Sequence, residues 1–451
     1  MTRIAVVGLG KLGAPLAAVL ASKGHDVIGI DFSDRTVQLV NDGYAPVDEP
    51  GLQELISIHR GRLRATTDLG AAAEASISIL LVPTPSTAAG GFSNEHVLAA
   101  TDAIGRSLAG ASTPHVVVVG STVMPGSCES EVQPLLEQAS GRRVGETLGL
   151  CYSPEFIALG TVLRDIVVPD MVLIGESDRA AGDTLERLYQ SVCENNPPFR
   201  RMGLLNAELT KIAVNTYVTM KISYANTLAD ICERLVGADS DTVADALGLD
   251  SRIGPKYLRG ATAYGGPCFP RDTKAFAALA REVDVEPLLA EAADAVNSIR
   301  MDRLAQLTQS HLADGDAVGV LGLAYKPGTS VTDESAGVAL AGVLADAGYD
   351  VHVYDPGVDG GTIRELAGRV HCSRSLAETY RQCAVVVITT PWPEFGELPQ
   401  EALRSSSAGC RVVIDCWRVL PETTLADEID VVRLGRRQSS LIGLHAVKES
   451  P

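Results

Sequence analysis

A cysteine set among glycines and prolines is a candidate nucleophile. Residues 263–272 read AYGGPCFPRD. Gly265 and Gly266 permit close backbone approach to a ligand, and Pro270 suits the first turn of a helix through PRDTKAFAALAREV. Cys268 then stands just before a helix N-terminus, whose partial positive charge lowers a thiol's pKa. An ordinary thiol, with a pKa of about 8.5, is only a few per cent ionised at neutral pH, so position can convert an inert group into a nucleophile. Asp272 follows within one helical turn. The competing reading, a packed core cysteine, leaves the surrounding glycines and prolines unexplained.

A second constellation lies at the N-terminus. VVGLGKLG (6–13) places Gly8, Gly10 and Gly13 in GxGxxG spacing, after a strand and before an alanine-rich helix. The first glycine permits the tight turn, the second lets backbone N–H groups approach a pyrophosphate, and the third lets helix and strand pack closely. Asp31 ends the next strand, where a carboxylate binds a ribose 2′-hydroxyl. A merely tight turn would explain the glycines but not Asp31. An acid there repels a 2′-phosphate, so the cofactor reads as NAD; Arg35 is the one feature that favours NADP. Two further strand ends, LVPTPS (81–86) and VVGSTVMPG (118–126), bring Thr84, Ser121 and Thr122 to the nicotinamide side, unless these residues simply open loops. A thiol beside a nicotinamide points to aldehyde oxidation. A thiohemiacetal can give up hydride to form a thioester, and water then releases the acid; a simple alcohol dehydrogenase needs only a base.

Repeating βα units must position these groups. RIAVVG, DVIGID, SISILLV, HVVVVG, LGLCYS and MVLIG read as buried parallel strands separated by helical segments. From Asn206 to about Leu235 apolar residues recur every three or four positions, predicting one helix with Asn206 as N-cap and Gly237 as stop. It reads as a spine between domains and as a dimer contact. AVGVLGL, DVHVYDP, CAVVVITTP and CRVVIDCW then predict a second parallel sheet. The fold class is α/β: two Rossmann-like doubly wound parallel-sheet domains joined by a central helical domain. Expected boundaries are 1–200, 201–305 and 306–451.

Composition narrows the partners. The 451 residues carry 38 Lys and Arg against 56 Asp and Glu, a net charge of −18. That argues against nucleic acid or an anionic membrane as the main partner, so an anionic ligand must be held by a few local donors. The nine cysteines are odd in number and include no CxxC pair, which fits reduced thiols and neither a disulfide framework nor a metal site. No signal peptide or membrane span is read, and the expected location is cytoplasmic.

GLGKLG, VPTP, STVMPG, SPEF, AELTKIAVN, SRIG, YGGPCFPRD, GLAYKPGT and YDP occur in this order. Together they resemble the UDP-glucose/GDP-mannose dehydrogenase family, from residue 3 to about residue 420. The resemblance implies oxidation of a nucleotide sugar's C6 alcohol to a carboxylate with two NAD+. It makes Cys268 the nucleophile, with Lys211 and Asn215 contacting the reacting oxygen. Asp272 acts with a water as base, Glu155 serves the hydrolytic step, and Thr122 holds its water. It adds Leu12, Pro83, Pro85 and Arg271 to the cofactor site. To the sugar-nucleotide site it adds Phe156, Ile157, Tyr257, Tyr264, Gly265, Gly266, Tyr325, Lys326 and Arg418. Arg252 would reach the partner subunit's site in a homodimer.

Three departures stand against that pattern. Leu159 replaces a second glutamate, Asp333 replaces an arginine expected near the cofactor, and DCWRV (415–419) shifts Arg418 by one place within a D-G-R-N pattern. Phe156 stands where N-acetyl-sugar enzymes have an arginine, which favours a glucose- or mannose-type sugar, UDP-glucose by default. Other readings are a single-hydride 3-hydroxyacid-type dehydrogenase and a non-catalytic sensor of NAD or a nucleotide sugar.

Overall fold

In a computed structural model, residues 2–397, 409–421 and 429–437 are described. The chain forms two compact units, Met1–Val214 with Lys274–Val285 and Asn215–Thr273 with Glu286–Pro451. Within the first, eight strands are ordered β3-β2-β1-β4-β5-β6-β7-β8. They are β1 (Arg3–Val7), β2 (Asp26–Ile30), β3 (Leu63–Thr66), β4 (Ile77–Leu80), β5 (His115–Val119), β6 (Leu148–Tyr152), β7 (Val172–Glu176) and β8 (Phe199–Gly203). The β-branched runs are buried on both faces: Ile4 and Val6 join one apolar cluster, Ala5 and Val7 the other. Every pairing is parallel except β6 with β7, where Cys151 faces Glu176 and Tyr152 faces Gly175. The strand order reverses between β1 and β4, so the loops after β1, β2, β4, β5 and β6 share one carboxyl edge at the switch point.

The second sheet, in the second unit, is parallel throughout with the order β11-β10-β9-β12-β13-β14. Its strands are β9 (Ala317–Leu321), β10 (Asp350–Tyr354), β11 (His371–Cys372), β12 (Val385–Ile388), β13 (Val412–Asp415) and β14 (Asp430–Arg433). Four strands escape the sequence reading: β3, β8, β11 and β14. All lie at or next to a sheet edge, are short, and carry charged or polar residues in place of an apolar run.

The spine helix spans Leu204–Cys232. Asn206 is not its N-cap: β8 ends at Gly203 and runs straight into the helix, and the Asn206 carbonyl accepts the Thr210 hydroxyl at 2.7 Å from inside it. Gly237, at φ +82°, lies beyond the helix end in the turns that follow. Among the described residues no helix is long and apolar enough to cross a membrane.

The two sheets use the same turn. Gly8 (φ +92°) follows β1 and Gly322 (φ +105°) follows β9. A Cβ on Gly13 would lie 1.7 Å from the Gly8 carbonyl oxygen, and one on Gly337 1.8 Å from that of Gly322. Helix and strand can therefore approach only if both positions lack a side chain. Gly337→Ala should destabilise the protein by about 3 kcal/mol through forced displacement of the helix Ala336–Asp346. Urea unfolding followed by circular dichroism checks this; an unchanged midpoint would show that the turn yields easily.

Candidate active site

The cofactor cradle forms at the carboxyl edge of the first sheet. The helix Gly13–Ser22 starts with no side-chain cap at Leu12 and no acidic residue in its first turn, so its leading N–H groups remain suited to an anion. A Cβ on Gly10 would meet nothing within 4 Å, which leaves open space above the turn. Asp31 accepts the Leu9 N–H at 2.8 Å and the Ser33 N–H at 2.9 Å, one on each carboxylate oxygen. Each oxygen keeps acceptor capacity for ribose hydroxyls. Arg35 is exposed in the first turn of the next helix, Asp34–Asp42. These residues fit a dinucleotide.

The neighbouring loops are tied together. Ser121 donates to the Val82 carbonyl at 2.7 Å and accepts the Val82 N–H at 2.9 Å, fixing the turn that carries Pro83, Thr84 and Pro85. Thr84 is buried and donates to the Thr122 carbonyl at 2.7 Å. Glu208 was weighed as a solvated partner for Lys211; it is fully buried and caps the loop instead. Its carboxylate accepts N–H groups of Gly126 at 2.6 Å and Cys128 at 2.8 Å, so the spine helix anchors the STVMPG turn. Burial raises the Glu208 pKa, opposed by these N–H donors. A lone glutamate on an apolar helix is the sequence signal for this role.

Lys211 also belongs to the first unit. Its ammonium donates to the Glu155 carbonyl at 2.6 Å and lies 4.6 Å from the centre of the Phe156 ring. The Glu155 carboxyl is pushed up to about 7 by burial, partly offset by a hydrogen bond from Tyr189 and by the Lys211 charge. A carboxyl group poised there can take and return a proton at neutral pH. Ile157 and Leu159 pack against the apolar core beneath the loop.

The thiol lies in the second unit. Cys268 is exposed, and its carbonyl accepts the Asp272 N–H at 2.8 Å, the first bond of the helix Phe269–Glu282. The expected N-cap position is therefore real, with Pro270 at the second helical residue. Asp272 is 1% exposed; its carboxylate accepts the Asn215 amide at 2.6 Å and lies 3.3 Å from the Arg271 Nε. Asn215 stands one turn after Lys211 on the spine helix. Two asparagines that the sequence reading passed over hold the loop before the thiol. Asn226 accepts the Ala261 N–H at 2.8 Å and donates to the Thr262 carbonyl at 3.2 Å. Asn297 clamps Tyr264, accepting its N–H at 2.7 Å and donating to its carbonyl at 3.1 Å. Arg300 adds a bond to the Ala261 carbonyl at 2.7 Å.

Gly265 and Gly266 serve a purpose other than the ligand approach expected of them. The Gly266 N–H donates to the Asp333 carbonyl at 2.9 Å. A Cβ on Gly265 would lie 2.0 Å from the Glu334 carbonyl oxygen, and one on Gly266 2.6 Å from the Tyr325 ring. The close approach is made by the chain itself, with Glu334 in the left-handed region at φ +49°. Tyr325 is held protonated by burial and by nearby Cys268, Tyr257 and Asp333. Tyr257 meets Phe269 edge-on at 6.1 Å, and the Lys326 ammonium lies 5.9 Å from the Tyr325 ring.

Arg418 and Arg252 have intramolecular partners. Arg418 binds both Asp241 carboxylate oxygens at 2.6 and 2.9 Å and the carbonyls of Gly260 at 2.8 Å and Leu434 at 2.6 Å. Arg252 is 86% exposed and pairs with Asp250 two residues away.

Residues 2–193 match the NAD binding domain of the UDP-glucose/GDP-mannose dehydrogenase family, residues 205–299 its central domain and residues 319–422 its UDP binding domain. The chain is 38% identical over 423 residues to the UDP-glucose 6-dehydrogenase AglM of Haloferax volcanii, covering 92% of this chain and 97% of that one. It is 31% identical over 437 residues to the GDP-mannose 6-dehydrogenase of Azotobacter vinelandii, covering 94% and 98%. A solved UDP-glucose dehydrogenase from Pyrobaculum islandicum superposes with a TM-score of 0.87 at 32% identity, over 97% of this chain and 98% of that chain.

Asp31→Ala should weaken NAD binding by about tenfold or more and relax discrimination against NADP, because it removes the ribose acceptor and its negative charge. Titration of both cofactors by fluorescence checks this; an unaltered preference would remove Asp31 from the site.

Proposed function

Since the chain belongs to the UDP-glucose/GDP-mannose dehydrogenase family, we propose that it oxidises the C6 alcohol of UDP-glucose to the carboxylate through a thioester on Cys268. It is an NAD-dependent nucleotide-sugar 6-dehydrogenase, and NAD is its cofactor. The observation that carries the thioester is the exposed Cys268 at a helix N-terminus, beside a buried Asn215–Asp272 pair. UDP-glucose is chosen because the Haloferax and Pyrobaculum relatives are named for it, and Phe156 supplies no charge for an N-acetyl group.

Each of two NAD+ molecules accepts one hydride when bound; the remaining work falls to the chain's own residues. Lys211 and Asn215 receive the C6 oxygen, and Asp272 with a water takes the hydroxyl proton. The Cys268 sulfur adds to the aldehyde carbon to give a thiohemiacetal, which loses its second hydride to become the thioester. Glu155 draws a proton from a water held by Thr122, the water oxygen bonds to the acyl carbon, and the carbon–sulfur bond breaks toward the thiol. Tyr257, Tyr264, Gly265, Gly266, Tyr325, Lys326 and Arg418 serve the nucleotide sugar, directly or by shaping its loops. Leu12, Pro83, Pro85 and Arg271 serve the cofactor. The exposed apolar side chains of the spine helix, Leu205, Leu209, Tyr217, Tyr224 and Ile231, support a homodimer in which Arg252 reaches the partner subunit's site.

Limiting UDP-glucose should yield two NADH per sugar and a uronic acid by mass spectrometry. One NADH per sugar would exclude the thioester route, and turnover only of another nucleotide sugar would move the substrate and keep the chemistry. Cys268→Ala should lower acid formation by at least about a thousandfold while allowing slow alcohol–aldehyde exchange. Undiminished acid formation would remove Cys268 from the reaction.

A further inference from the structure

The Glu155 carboxyl has one hydroxyl partner, and that partner has a choice. Tyr189, from the helix Arg179–Val192, is 6% exposed and places its hydroxyl 3.3 Å from Glu155 Oε1. The same hydroxyl lies 3.3 Å from Ser153 Oγ. Ser153 is buried, and its own proton is directed to the Leu173 carbonyl at 2.9 Å. A serine hydroxyl has one proton, so toward Tyr189 it offers lone pairs. Tyr189 therefore has one proton and two acceptors.

This arrangement solves a problem that a carboxyl group in an apolar setting poses. An ionised carboxylate needs a donor, and a protonated carboxyl also needs an acceptor for its O–H. We propose that Tyr189 is the positioning residue for proton transfer at Glu155, its hydroxyl turning toward the carboxylate and away to Ser153 once the carboxyl is protonated. The inference rests on the reading that Glu155 takes the water proton in thioester hydrolysis. In that step water loses one proton to Glu155, its oxygen bonds to the acyl carbon, and the electron pair of the carbon–sulfur bond leaves with sulfur. Tyr189 neither gains nor loses a proton over the cycle. It exchanges one hydrogen bond for another while the heavy atoms stay in place.

The surroundings leave this role to Tyr189. Lys211, from the spine helix, directs its ammonium to the Glu155 backbone carbonyl and favours the ionised form only through its charge. Cys193, just after the helix of Tyr189, is itself kept as a thiol by burial and by Glu155. Asp165 and Asp170 line the same pocket as Glu155 and Tyr189, about 390 Å³ in volume and partly open to solvent. Those carboxylates give the proton taken by Glu155 a route to water. Leu159 packs against the apolar core, so no second carboxylate from that position shares the work.

The test is the pH profile of kcat for UDP-glucose oxidation in the full-length protein, with Glu155→Gln as reference. Tyr189→Phe removes the donor to the ionised carboxylate, so the Glu155 pKa rises and the acid limb moves up by about half to one pH unit. Activity below the limb then falls by about three- to tenfold, while KM for both substrates changes little. Replacing Tyr189 with 3-fluorotyrosine keeps the shape and strengthens the donor, so the limb moves to lower pH. A packing defect could not give opposite shifts, and the fluorinated protein keeps the test usable if the phenylalanine variant does not fold. If Glu155→Gln removes activity but both tyrosine changes leave the limb in place, the role of Tyr189 is overturned and that of Glu155 stands. If Glu155→Gln still releases acid at the wild-type rate, the hydrolytic reading falls, and the inference falls with it.

Discussion

The Cys268 loop is built around the absence of two side chains. With the Glu334 carbonyl 2.0 Å from where a Gly265 Cβ would stand, and the Tyr325 ring 2.6 Å from that of Gly266, any larger residue must push the loops apart. That contact, sealed by the Gly266–Asp333 hydrogen bond, sets the height at which Cys268 leaves the loop and enters its helix. Asn226, Asn297 and Arg300 fix the preceding residues by backbone bonds alone, so the loop is held without using the side chains that do chemistry. Arg300 is held in turn by Asp230, and Arg303 by Asp230 and Glu233, in a buried charge cluster between the spine helix and the helix Leu288–Ser310. Leaving any member of such a cluster unpaired would be more damaging than the net worth of the pair implies.

The two sheets show one solution put to different uses. Gly8, Gly13 and Asp31 have counterparts in Gly322, Gly337 and Asp355, with the same positive φ at the first glycine and the same close approach at the second. The carboxylates differ. Asp31 accepts two backbone N–H groups, whereas Asp355 accepts Leu323, Ala324 and Gly357 N–H groups and the Trp392 indole. Asp31 keeps lone pairs for a ligand; Asp355 is engaged in shaping its own loop. The turn is thus a packing solution first, and becomes a ribose reader only where the carboxylate stays under-used.

The departures from the family pattern acquire local explanations. Asp415, fully buried, accepts the N–H groups of Trp417, Val419 and Leu420, which coils DCWRV so that Arg418 takes a left-handed backbone at φ +56°. Its guanidinium then locks Asp241 and the Gly260 carbonyl, just upstream of the thiol loop. Asp333 contributes through its carbonyl, an interaction that any residue type can make. Leu159 joins the apolar core under the loop that carries Glu155.

The sequence by itself determined the chemistry-bearing residues and the βα rhythm. Glycine spacing, a thiol before a proline-led helix and runs of valine and isoleucine are local signals, written in a few consecutive residues. Edge strands such as β3 and β14 were not legible, because their half-exposed positions tolerate charge and blur the pattern. The start of the spine helix was misplaced because β8 passes into it without a loop, which no local propensity announces. Only tertiary structure decided what lies opposite each group: that Gly265 and Gly266 face Glu334 and Tyr325, that Glu208 caps a turn 80 residues away, and that Tyr189 stands behind Glu155. Those partners are distant in sequence, and a hydrogen bond leaves no periodicity; the fold alone brings donor and acceptor together.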